Sequence, residues 1–579
     1  MLPRAWAKAT PAERGRRMTD SLADRGRRRL LELAGTAAAA CALRPVSVLA
    51  LTPFDLIVRG GQVLDGTGMP AFQADIGIIG QRIAAIGAIS PEQGRRVLDV
   101  TGLHVGPGFI DIHTHSDGDI LVYPTADSRV RQGITTELTG NCGGSAAPLG
   151  GKDAEEDRQS YRRQGITETW SGVASYLDVV DKAGLSVNHA LLVGQGTLRT
   201  NAIGNIDRKL SADELAAVTR GVEEAMEQGA FGLSTGLEYT PGRYTPTSEI
   251  VAMARVVGRL GGLYASHIRN EEASLLEAVD EAIAIGRDSG ARVQVSHLKA
   301  SGRLNWSKQQ GALDLIASAR RDGVNVLADA YPYTAYSTSL TILLSAEARE
   351  GGTRDLMARL KDPVWRVRMQ REVEEVMARE LGDYALIVIA RVKSTANRPL
   401  IGKNMAEIAT TWGLRPVEAV LRLIEEEEGS VSIIGHGMSA GNVELVLGHP
   451  LVMVGSDGSS MAPVGRAAEA RPHPRSYGAF ARVLAYYVRE RHTLSLAQAV
   501  RKMTSMPADQ IGLGDRGRIA RGKYADLVVF DPATVKDEAT FEQPQQYATG
   551  MPHVIVNGTL VVENSRHTGA KPGRALRRT

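Results

Sequence analysis

The sequence predicts an α/β fold: a (β/α)8 barrel of the TIM type with a small β-sandwich domain built from both flanking segments. Three observations support this prediction. Short apolar runs alternate with segments of helical period through the middle of the chain, which is typical of parallel strands joined by helices. Short strand-like runs with frequent turns occur on both sides of that middle part. One interval of about 120 residues separates the last two apolar runs.

Eight apolar runs are the candidate barrel strands. Amphipathic stretches such as 212–228 and 272–289 lie between several of them and have the period of helices. Since a barrel of this type needs eight parallel strands, the count agrees with the fold. The runs are 105–113, 134–141, 189–194, 231–236, 263–267, 293–297, 324–330 and 452–457.

Two separate flanks supply the β-sandwich. Strand-like runs occur at 54–61, 74–79 and 82–87, and similar runs return at 525–530 and 553–558. Neither flank is long enough to close a hydrophobic core alone, so we expect the two flanks to pair into one small domain.

The interval between the seventh and eighth runs predicts an insertion at the mouth of the barrel, which we interpret as a candidate lid. It holds a helix-rich segment, 363–381, and an extra apolar run, 386–390. The expected domains are a leader at 1–50, the first β-sandwich part at 53–106, the barrel at 107–505 with the insertion at about 339–430, the second β-sandwich part at 506–564 and a basic tail at 565–579.

The charge is unevenly distributed along the chain. The formal net charge is +3, but residues 1–30 carry +6 and residues 566–579 carry +5, which leaves −8 on residues 31–565. An acidic body does not indicate a nucleic-acid partner, which would require a basic stripe on a folded face. Two cysteines, Cys41 and Cys142, exclude a disulfide framework. No apolar stretch reaches the ~18–20 residues of a membrane-spanning helix, so we expect no stable membrane insertion.

The amino terminus predicts a secretion signal. A basic stretch ends in Arg27-Arg28-Arg29, about ten apolar residues follow, and small residues surround Ala50. The paired arginines resemble a twin-arginine signal, so we expect export to the periplasm. A cytoplasmic protein with a short amphipathic extension is the alternative, and Cys41 is a further candidate for lipid attachment.

Metal-ligating residue types fall at the carboxyl ends of the predicted barrel strands, the face on which such barrels place their active sites. Because strand side chains alternate with period two, the two histidines of His-Thr-His point to the same side. Thiolate, imidazole and carboxylate together suit zinc. The candidate ligands are His113 and His115 after the first run, Cys142 after the second, His267 in the fifth, His297 in the sixth and Asp457 in the eighth.

Each of these residues has a purely structural interpretation. A single histidine after an apolar strand is commonly a core residue, Cys142 alone would be a small buried apolar side chain, and Asp457 could serve a turn. Their recurrence at successive strand ends favours one metal site.

Several motifs resemble a known family. Residues 108–115, Gly-Phe-Ile-Asp-Ile-His-Thr-His, resemble the opening signature of the amidohydrolase superfamily, and 517–528 is similar to its return into the β domain. Within that superfamily the chain resembles the D-aminoacylases, or N-acyl-D-amino-acid deacylases, from about residue 54 to 564. The motifs that carry this closer resemblance are 140–143 (Gly-Asn-Cys-Gly), 296–299, 329–333 and 471–475.

The resemblance implies a metal arrangement and a reaction. Cys142, His267 and His297 would hold a tightly bound zinc, and His113 and His115 with Asp457 would form a second, weaker position. The activity implied is hydrolysis of an N-acyl-D-amino acid, a small-molecule substrate, to a carboxylate and a free D-amino acid. Asp457 would be the general base and then the general acid.

The resemblance also implies a binding site for the α-carboxylate of the substrate. Lys299, Tyr331 and Arg475 lie where the family's carboxylate-binding residues lie, and Arg475 would provide a bidentate fork. Tyr333 and Ser337 are close enough in sequence to replace Tyr331. No role follows from the sequence for Glu238 or His436, and His473 is a candidate for contact with the ligands.

Three alternatives remain. A cyclic-amide hydrolase of the hydantoinase type would carry a carboxylated lysine near the end of the fourth strand, but Lys152, Lys182 and Lys209 all stand in polar surroundings. An amidohydrolase acting on dipeptides or other amides is a second alternative. A non-catalytic binding protein on the same scaffold would be expected to lack metal ligands or Asp457.

Overall fold

The computed structural model describes residues 53–151 and 154–578. Its strands are β1 (Leu56–Val63), β2 (Phe72–Ile79), β3 (Arg82–Gly87), β4 (Val97–Asp99), β5 (His104–Pro107), β6 (Phe109–Asp111), β7 (Ile134–Thr139), β8 (Asn188–Leu191), β9 (Val193–Gly194), β10 (Gly232–Gly236), β11 (Leu263–His267), β12 (Arg292–Val295), β13 (Val326–Ala330), β14 (Tyr336–Ser339), β15 (Ile387–Arg391), β16 (Ser432–Gly435), β17 (Val452–Val454), β18 (Leu527–Phe530), β19 (His553–Val556), β20 (Thr559–Glu563) and β21 (Arg566–His567).

The α-helices alternate with these strands through most of the chain. They are α1 (Asp119–Val122), α2 (Asp127–Val130), α3 (Ala154–Arg163), α4 (Val173–Ala183), α5 (Gln195–Ile203), α6 (Ala212–Glu227), α7 (Thr247–Arg259), α8 (Leu275–Ser289), α9 (Gln309–Arg321), α10 (Ala346–Arg349), α11 (Thr353–Lys361), α12 (Pro363–Arg379), α13 (Met405–Trp412), α14 (Pro416–Glu426), α15 (Ala440–Gly448), α16 (Arg475–Arg482), α17 (Leu496–Met503) and α18 (Ser505–Ile511).

Parallel strands at eight positions form the barrel. One sheet has the order β6-β7-β8, and the other has the order β9-β10-β11-β12-β13-β17. The sheets are continuous because β8 and β9 are separated only by Leu192. A parallel bridge between Thr114 and Gly458 closes the circle, and the Asp457 N–H donates to the His113 carbonyl at 2.8 Å. The predicted barrel is therefore confirmed, with strands in all eight expected runs.

The first predicted run, 105–113, is two strands rather than one. β5 ends at Pro107 and pairs with β18, whereas β6 begins at Phe109 and pairs with β7. Gly108 separates them, and a Cβ atom there would lie 2.2 Å from the Thr135 side chain. The tight approach of Thr135 requires glycine at this point, where the chain passes from the β domain into the barrel.

The helices bury the amphipathic faces that their periodicity predicts. Ser211 caps α6, since its hydroxyl accepts the Glu214 N–H at 3.3 Å while the Glu214 carboxylate accepts the Ser211 N–H. The buried side of α6 carries Val218, Val222 and Met226, which join the main hydrophobic core.

The two flanks form one small β domain, as the sequence predicts. Its nine-stranded sheet has the order β21-β20-β19-β18-β5-β1-β2-β3, with β4 paired to β1. The antiparallel pairing of β18 with β5 joins the late flank to the early one. After β21, the carboxyl-terminal segment lies against the barrel, where Ala575 bridges His189 of β8 and Arg577 pairs with Asp178 and Asp181.

A segment between β13 and β17 has a hydrophobic core of its own. It contains the antiparallel sheet β14-β16-β15 and helices α10 to α14, and its buried side chains form a cluster separate from the barrel core. Tyr239, which follows β10, lies 3.3 Å from Thr338 of β14 through their hydroxyls. This contact places the edge of the inserted sheet beside the carboxyl ends of the barrel strands.

The sequence makes two further predictions, an amino-terminal leader and no stable membrane insertion. The leader, residues 1–50 with Cys41, lies outside the described residues, so export stays a prediction. Within the described part of the chain, no helix combines the length and apolar character needed to cross a membrane.

A buried ion pair supports the closure of the barrel. The fully buried Arg129 guanidinium contacts the Asp111 carboxylate of β6 and the Ser456 hydroxyl, the latter at 2.7 Å. Asp111 also accepts the Ser456 N–H at 2.9 Å. The first strand is thereby joined through side chains to the segment that follows the last one, directly before Asp457.

Replacing Arg129 with methionine should destabilise the protein strongly, because the Asp111 carboxylate would remain buried without its cation. Breaking a buried pair in this way costs about 3–5 kcal/mol. The free energy of unfolding can be measured by urea denaturation. Arg162→Met removes an exposed pair with Glu155 and serves as the control, with little expected change. Equal stability of the two variants would contradict the account of closure.

Candidate metal centre

The barrel brings the six predicted metal ligands into one cluster at the carboxyl ends of its strands. The Cys142 sulfur lies 3.4 Å from Nε2 of His113 and 3.5 Å from Nε2 of His297. Oδ1 of Asp457 lies 2.9 Å from Nε2 of His115 and 3.5 Å from Nε2 of His113. Among the described residues, two ligand groups share His113, one containing the thiol and the other the Asp457 carboxylate, and a third group joins His267, Glu271 and His297.

His267 completes the cluster from β11. Its ring centroid lies 4.5 Å from that of His297, and its Nε2 lies 2.9 Å from Oε2 of Glu238. Nδ1 of His267 is buried and has no hydrogen-bond partner. A buried nitrogen with a free lone pair is costly unless a cation or donor meets it, so this orphaned atom fits a metal ligand.

The backbone at three of the ligands is left-handed. φ is 53° at Cys142, 35° at His297 and 53° at Asp457. Residues with side chains rarely adopt such angles, and they concentrate at functional sites where the surrounding structure holds them. Each of these residues follows the end of its strand, so the unusual backbone sets the direction in which each ligand enters the centre.

Glycines allow the Cys142 loop to approach its neighbours. A Cβ atom on Gly140 would lie 1.9 Å from the Leu192 carbonyl oxygen, and one on Gly143 would lie 2.6 Å from the Gly236 nitrogen. Both glycines also have positive φ, 74° and 78°. The Gly-Asn-Cys-Gly motif therefore has a steric basis, since larger residues on either side would displace the thiol.

The charges of the centre favour the metal-binding forms of its acidic ligands. Burial alone would raise the pKa of the Cys142 thiol, but the charge of His113 and hydrogen bonds from His113 and His115 bring that pKa well below its usual range. Burial would likewise raise the pKa of Asp457, but Arg475, whose Nη1 lies 2.8 Å from Oδ2, brings it well below the usual range. Thiolate and carboxylate are the forms that bind metals.

The histidines show the complementary shift. Burial would lower the pKa of His115, but hydrogen bonds to Asp457 and Cys142 raise it to about 9. Burial would also lower the pKa of His267, but the charge of Glu271 and contacts with Cys142 and Glu238 raise it to about 10. The anionic groups thus stabilise the protonated imidazoles. A divalent cation can replace those protons and supply the positive charge instead.

Two carboxylates that support the ligands carried no assigned role in the sequence. Asp329 of β13 accepts the backbone N–H of His297 at 2.9 Å and lies 3.4 Å from Nδ1 of His113. Glu271 lies 2.9 Å from Nδ1 of His297. A carboxylate inside an apolar strand is a signal that could have identified Asp329, whereas Glu271 stands in a polar stretch that gives no such signal.

The three predicted carboxylate-binding residues lie together beside Asp457. The Arg475 guanidinium is 5.1 Å from the centre of the Tyr331 ring, and Lys299 Nζ is 5.8 Å from the same centre. Lys299 pairs with Glu271, and Arg475 pairs with Asp457. Both cations are therefore close to the metal ligands, and each is balanced by a carboxylate of the centre.

The remaining candidates lie around this group. Tyr331 donates its hydroxyl to the Met438 sulfur at 3.7 Å, and Ser337 offers its carbonyl to Arg475 at 3.5 Å. Nδ1 of His473 accepts the Arg475 N–H at 3.0 Å, which fixes the start of α16. His436 packs against Phe541 instead, with ring centres 4.9 Å apart.

The sequence of this chain is similar to those of several known proteins. A sequence profile described as the amidohydrolase family matches residues 96–562. An N-acyl-D-glutamate deacylase of Alcaligenes xylosoxydans xylosoxydans is 38% identical over 526 residues, which span 90% of this chain and 96% of the relative. The chain belongs to the D-aminoacylase family of amidohydrolases. A D-aminoacylase of the same organism is 37% identical over 535 residues, which span 91% of this chain and 98% of that relative.

A solved structure within the D-aminoacylase family shares the fold. The N-acyl-D-glutamate deacylase of Bordetella bronchiseptica, complexed with zinc and a phosphonate inhibitor that mimics the tetrahedral intermediate, superposes with a TM-score of 0.77 at 35% identity. The superposition covers 91% of this chain and 100% of that one. Of the lysines that a hydantoinase-like site would need, Lys182 lies in the last turn of α4, Lys209 is exposed, and Lys152 lies outside the described residues.

Zinc should protect Cys142 from alkylation. In chelator-treated protein its thiolate is available to iodoacetamide at neutral pH, because the neighbouring histidines lower the pKa of the thiol. Added zinc would occupy the sulfur lone pairs and slow the reaction sharply. The rate can be followed by mass spectrometry of the Cys142 peptide, with Mg²⁺ as the control cation. Equal rates with zinc and with Mg²⁺ would argue against a thiolate metal site.

Proposed function

We propose that this chain is a zinc-dependent N-acyl-D-amino-acid deacylase that hydrolyses the amide bond to release a carboxylate and a free D-amino acid. The observation that carries the proposal is that His297 lies against both the Cys142 sulfur, at 3.5 Å, and the His267 ring, at 4.5 Å between centroids, beside Asp457 and its paired cation, Arg475. Relatives named as deacylases of this substrate class, at 37–38% identity, support the choice of substrate.

Zinc fits the ligands of the proposed centre. Cys142, His267 and His297 would hold one zinc tightly, because thiolate and imidazole are its preferred ligands. His113 and His115 with Asp457 would form a second, weaker position. Bound zinc would supply Lewis acidity, which lowers the pKa of water and polarises the carbonyl of the amide.

Asp457 has the contacts of a general base. Its two oxygens are held separately, Oδ1 by His115 and Oδ2 by Arg475, so the carboxylate is ionised and fixed in direction. In the proposed reaction Asp457 takes a proton from the attacking water and then delivers it to the nitrogen of the departing amino acid. Arg475 and His115 keep the carboxylate ionised before the first transfer.

Arg475, Lys299 and Tyr331 are proposed to bind the α-carboxylate of the substrate. The two cations are buried, and both lie within 6 Å of the centre of the Tyr331 ring, Lys299 at 5.8 Å and Arg475 at 5.1 Å. A pocket lined in part by His297, Lys299, Tyr331 and residues of α15 adjoins this place. A substrate carboxylate here would be held within reach of the metal ligands, with its amide beside Asp457.

The substrate class can be tested directly with purified, zinc-loaded protein. N-acetyl-D and N-acetyl-L forms of several amino acids would be offered, and the released amine measured with ninhydrin. We expect release from the D forms and little from the L forms. Absence of D-specific release with zinc bound would overturn the substrate assignment, and release from dipeptides alone would favour a dipeptidase.

Asp457→Ala should remove most of the turnover while leaving the tight zinc in place. Loss of a positioned base reduces kcat by about 10²–10⁴-fold, and Cys142, His267 and His297 remain as ligands. Steady-state kinetics and elemental analysis of zinc measure the two effects. Near-normal kcat would contradict the role of Asp457 as base.

Arg475→Lys should weaken the binding of acyl amino acids selectively. The variant keeps the charge but loses the planar fork, and loss of a charged hydrogen bond corresponds to about a 10- to 100-fold increase in KM. Acylated amines that lack a carboxylate serve as control substrates and should be affected less. Equal losses on both substrate types would argue against carboxylate binding by Arg475.

A further inference from the structure

We infer that Glu238 is a positioning residue of the metal centre: it accepts the Nε2 proton of His267 and so turns the free lone pair of Nδ1 toward the metal. The inference rests on the proposed zinc site. It concerns a residue for which the sequence provided no role.

The contact joins two neighbouring strand ends. Glu238 stands two residues beyond β10, and its Oε2 lies 2.9 Å from Nε2 of His267. Gly236 is directly opposite His267 in the parallel register, and the Leu237 N–H donates to the His267 carbonyl at 3.0 Å. The backbone of the loop is therefore fixed to His267 on the same residue that the side chain of Glu238 contacts.

The chemistry of the pair determines the state of the imidazole. When a metal ion takes one nitrogen of the ring, the imidazole keeps a single N–H on the other nitrogen, and a carboxylate oxygen can accept it. Glu238 therefore selects the form of His267 with its proton on Nε2. The remaining nitrogen, Nδ1, is the buried atom without a hydrogen-bond partner.

His297 is arranged in the opposite way, which strengthens the inference. Its Nδ1 lies 2.9 Å from Glu271 and 2.9 Å from Lys299, so its Nε2 is the nitrogen left near the Cys142 sulfur, at 3.5 Å. Each of the two histidines thus has one nitrogen engaged by a glutamate and the other available to a cation. Carboxylate partners of this kind raise the basicity of the ligand and fix its orientation.

A second acidic side chain, Glu380, lies near Glu238. The effect of losing the contact with His267 can therefore be separated from the effect of losing a nearby negative charge. Burial and the charge of Glu238 raise the pKa of Glu380 to about 7, so these two side chains lie near each other. Among the described residues, Glu238 is hydrogen-bonded to Nε2 of His267, and Glu380 is not. Glu380 is therefore a matched control that removes a carboxylate from the mouth and leaves the contact intact.

The test compares zinc affinities of the full chain by titration against a chromophoric chelator. Glu238→Ala should lower zinc affinity about 10- to 100-fold, the usual effect of losing a partner of a metal-bound histidine. Glu238→Gln, whose amide oxygen can accept the same bond without charge, should lose less, about tenfold. Glu380→Gln should bind zinc as the wild type does.

A spectroscopic readout separates positioning from general destabilisation. With Co²⁺ in place of zinc, Glu238→Ala should shift the visible bands of the cobalt centre, because the His267 ring is free to turn. Glu380→Gln should keep the wild-type spectrum. If Glu238→Ala does not fold, the affinity and spectrum of Glu238→Gln decide the question.

Unchanged zinc affinity and cobalt bands in the Glu238 variants would overturn the inference, as would an equal loss in Glu380→Gln. These measurements use no substrate, so they do not depend on the deacylase activity. Failure of the wild type to bind zinc would instead contradict the proposed function itself.

Discussion

The closing contact of the barrel is the constraint on which the candidate site depends. The Asp457 N–H meets the carbonyl of His113 at 2.8 Å, and this bond joins residues that are 344 positions apart in the sequence. Without it, the histidines after β6 and the carboxylate after β17 would not share one centre. The buried Arg129–Asp111 pair acts at the same seam, because Asp111 and Ser456 lie immediately before the two joined segments.

The electrostatics of the centre follow from this convergence. Strand ends from around the barrel bring a thiol, histidines and several carboxylates into a space from which water is largely excluded. Burial opposes every one of their charges, so each ionised group has a partner of opposite sign: Arg475 for Asp457, Lys299 for Glu271, and the histidines for Cys142. Buried charged groups of this kind are stable only when their charges are compensated. A divalent cation can compensate the negative charge of the thiolate and the neighbouring carboxylates.

Much of this arrangement could be predicted from the sequence because it depends on local patterns. Apolar runs with alternating helices predict the barrel, and ligand-type residues at the ends of those runs predict a shared site. The division of the first run at Gly108 was missed, since hydrophobicity does not distinguish a strand of the β domain from a strand of the barrel. The assignment of Cys142 as a ligand also used its resemblance to the D-aminoacylases.

The supporting groups could not be predicted in the same way. Glu238 and Glu271 reach their histidines from loops of neighbouring strands, and the direction of those loops depends on the packed structure. The left-handed backbone at Cys142, His297 and Asp457 was not predicted, because such angles are uncommon even for aspartate and histidine, which adopt them more often than most other side chains, and cysteine gives no such signal. The structure therefore adds the orientation of these side chains, whereas the candidate ligands themselves were predicted from the sequence.

The most direct measurement is the position of zinc in crystals of the zinc-loaded protein, located by anomalous diffraction at the zinc absorption edge. The account predicts its principal peak within bonding distance, about 2.0–2.3 Å, of the Cys142 sulfur, Nδ1 of His267 and Nε2 of His297. A principal peak away from Cys142 and His267, or no peak at the strand ends, would contradict it.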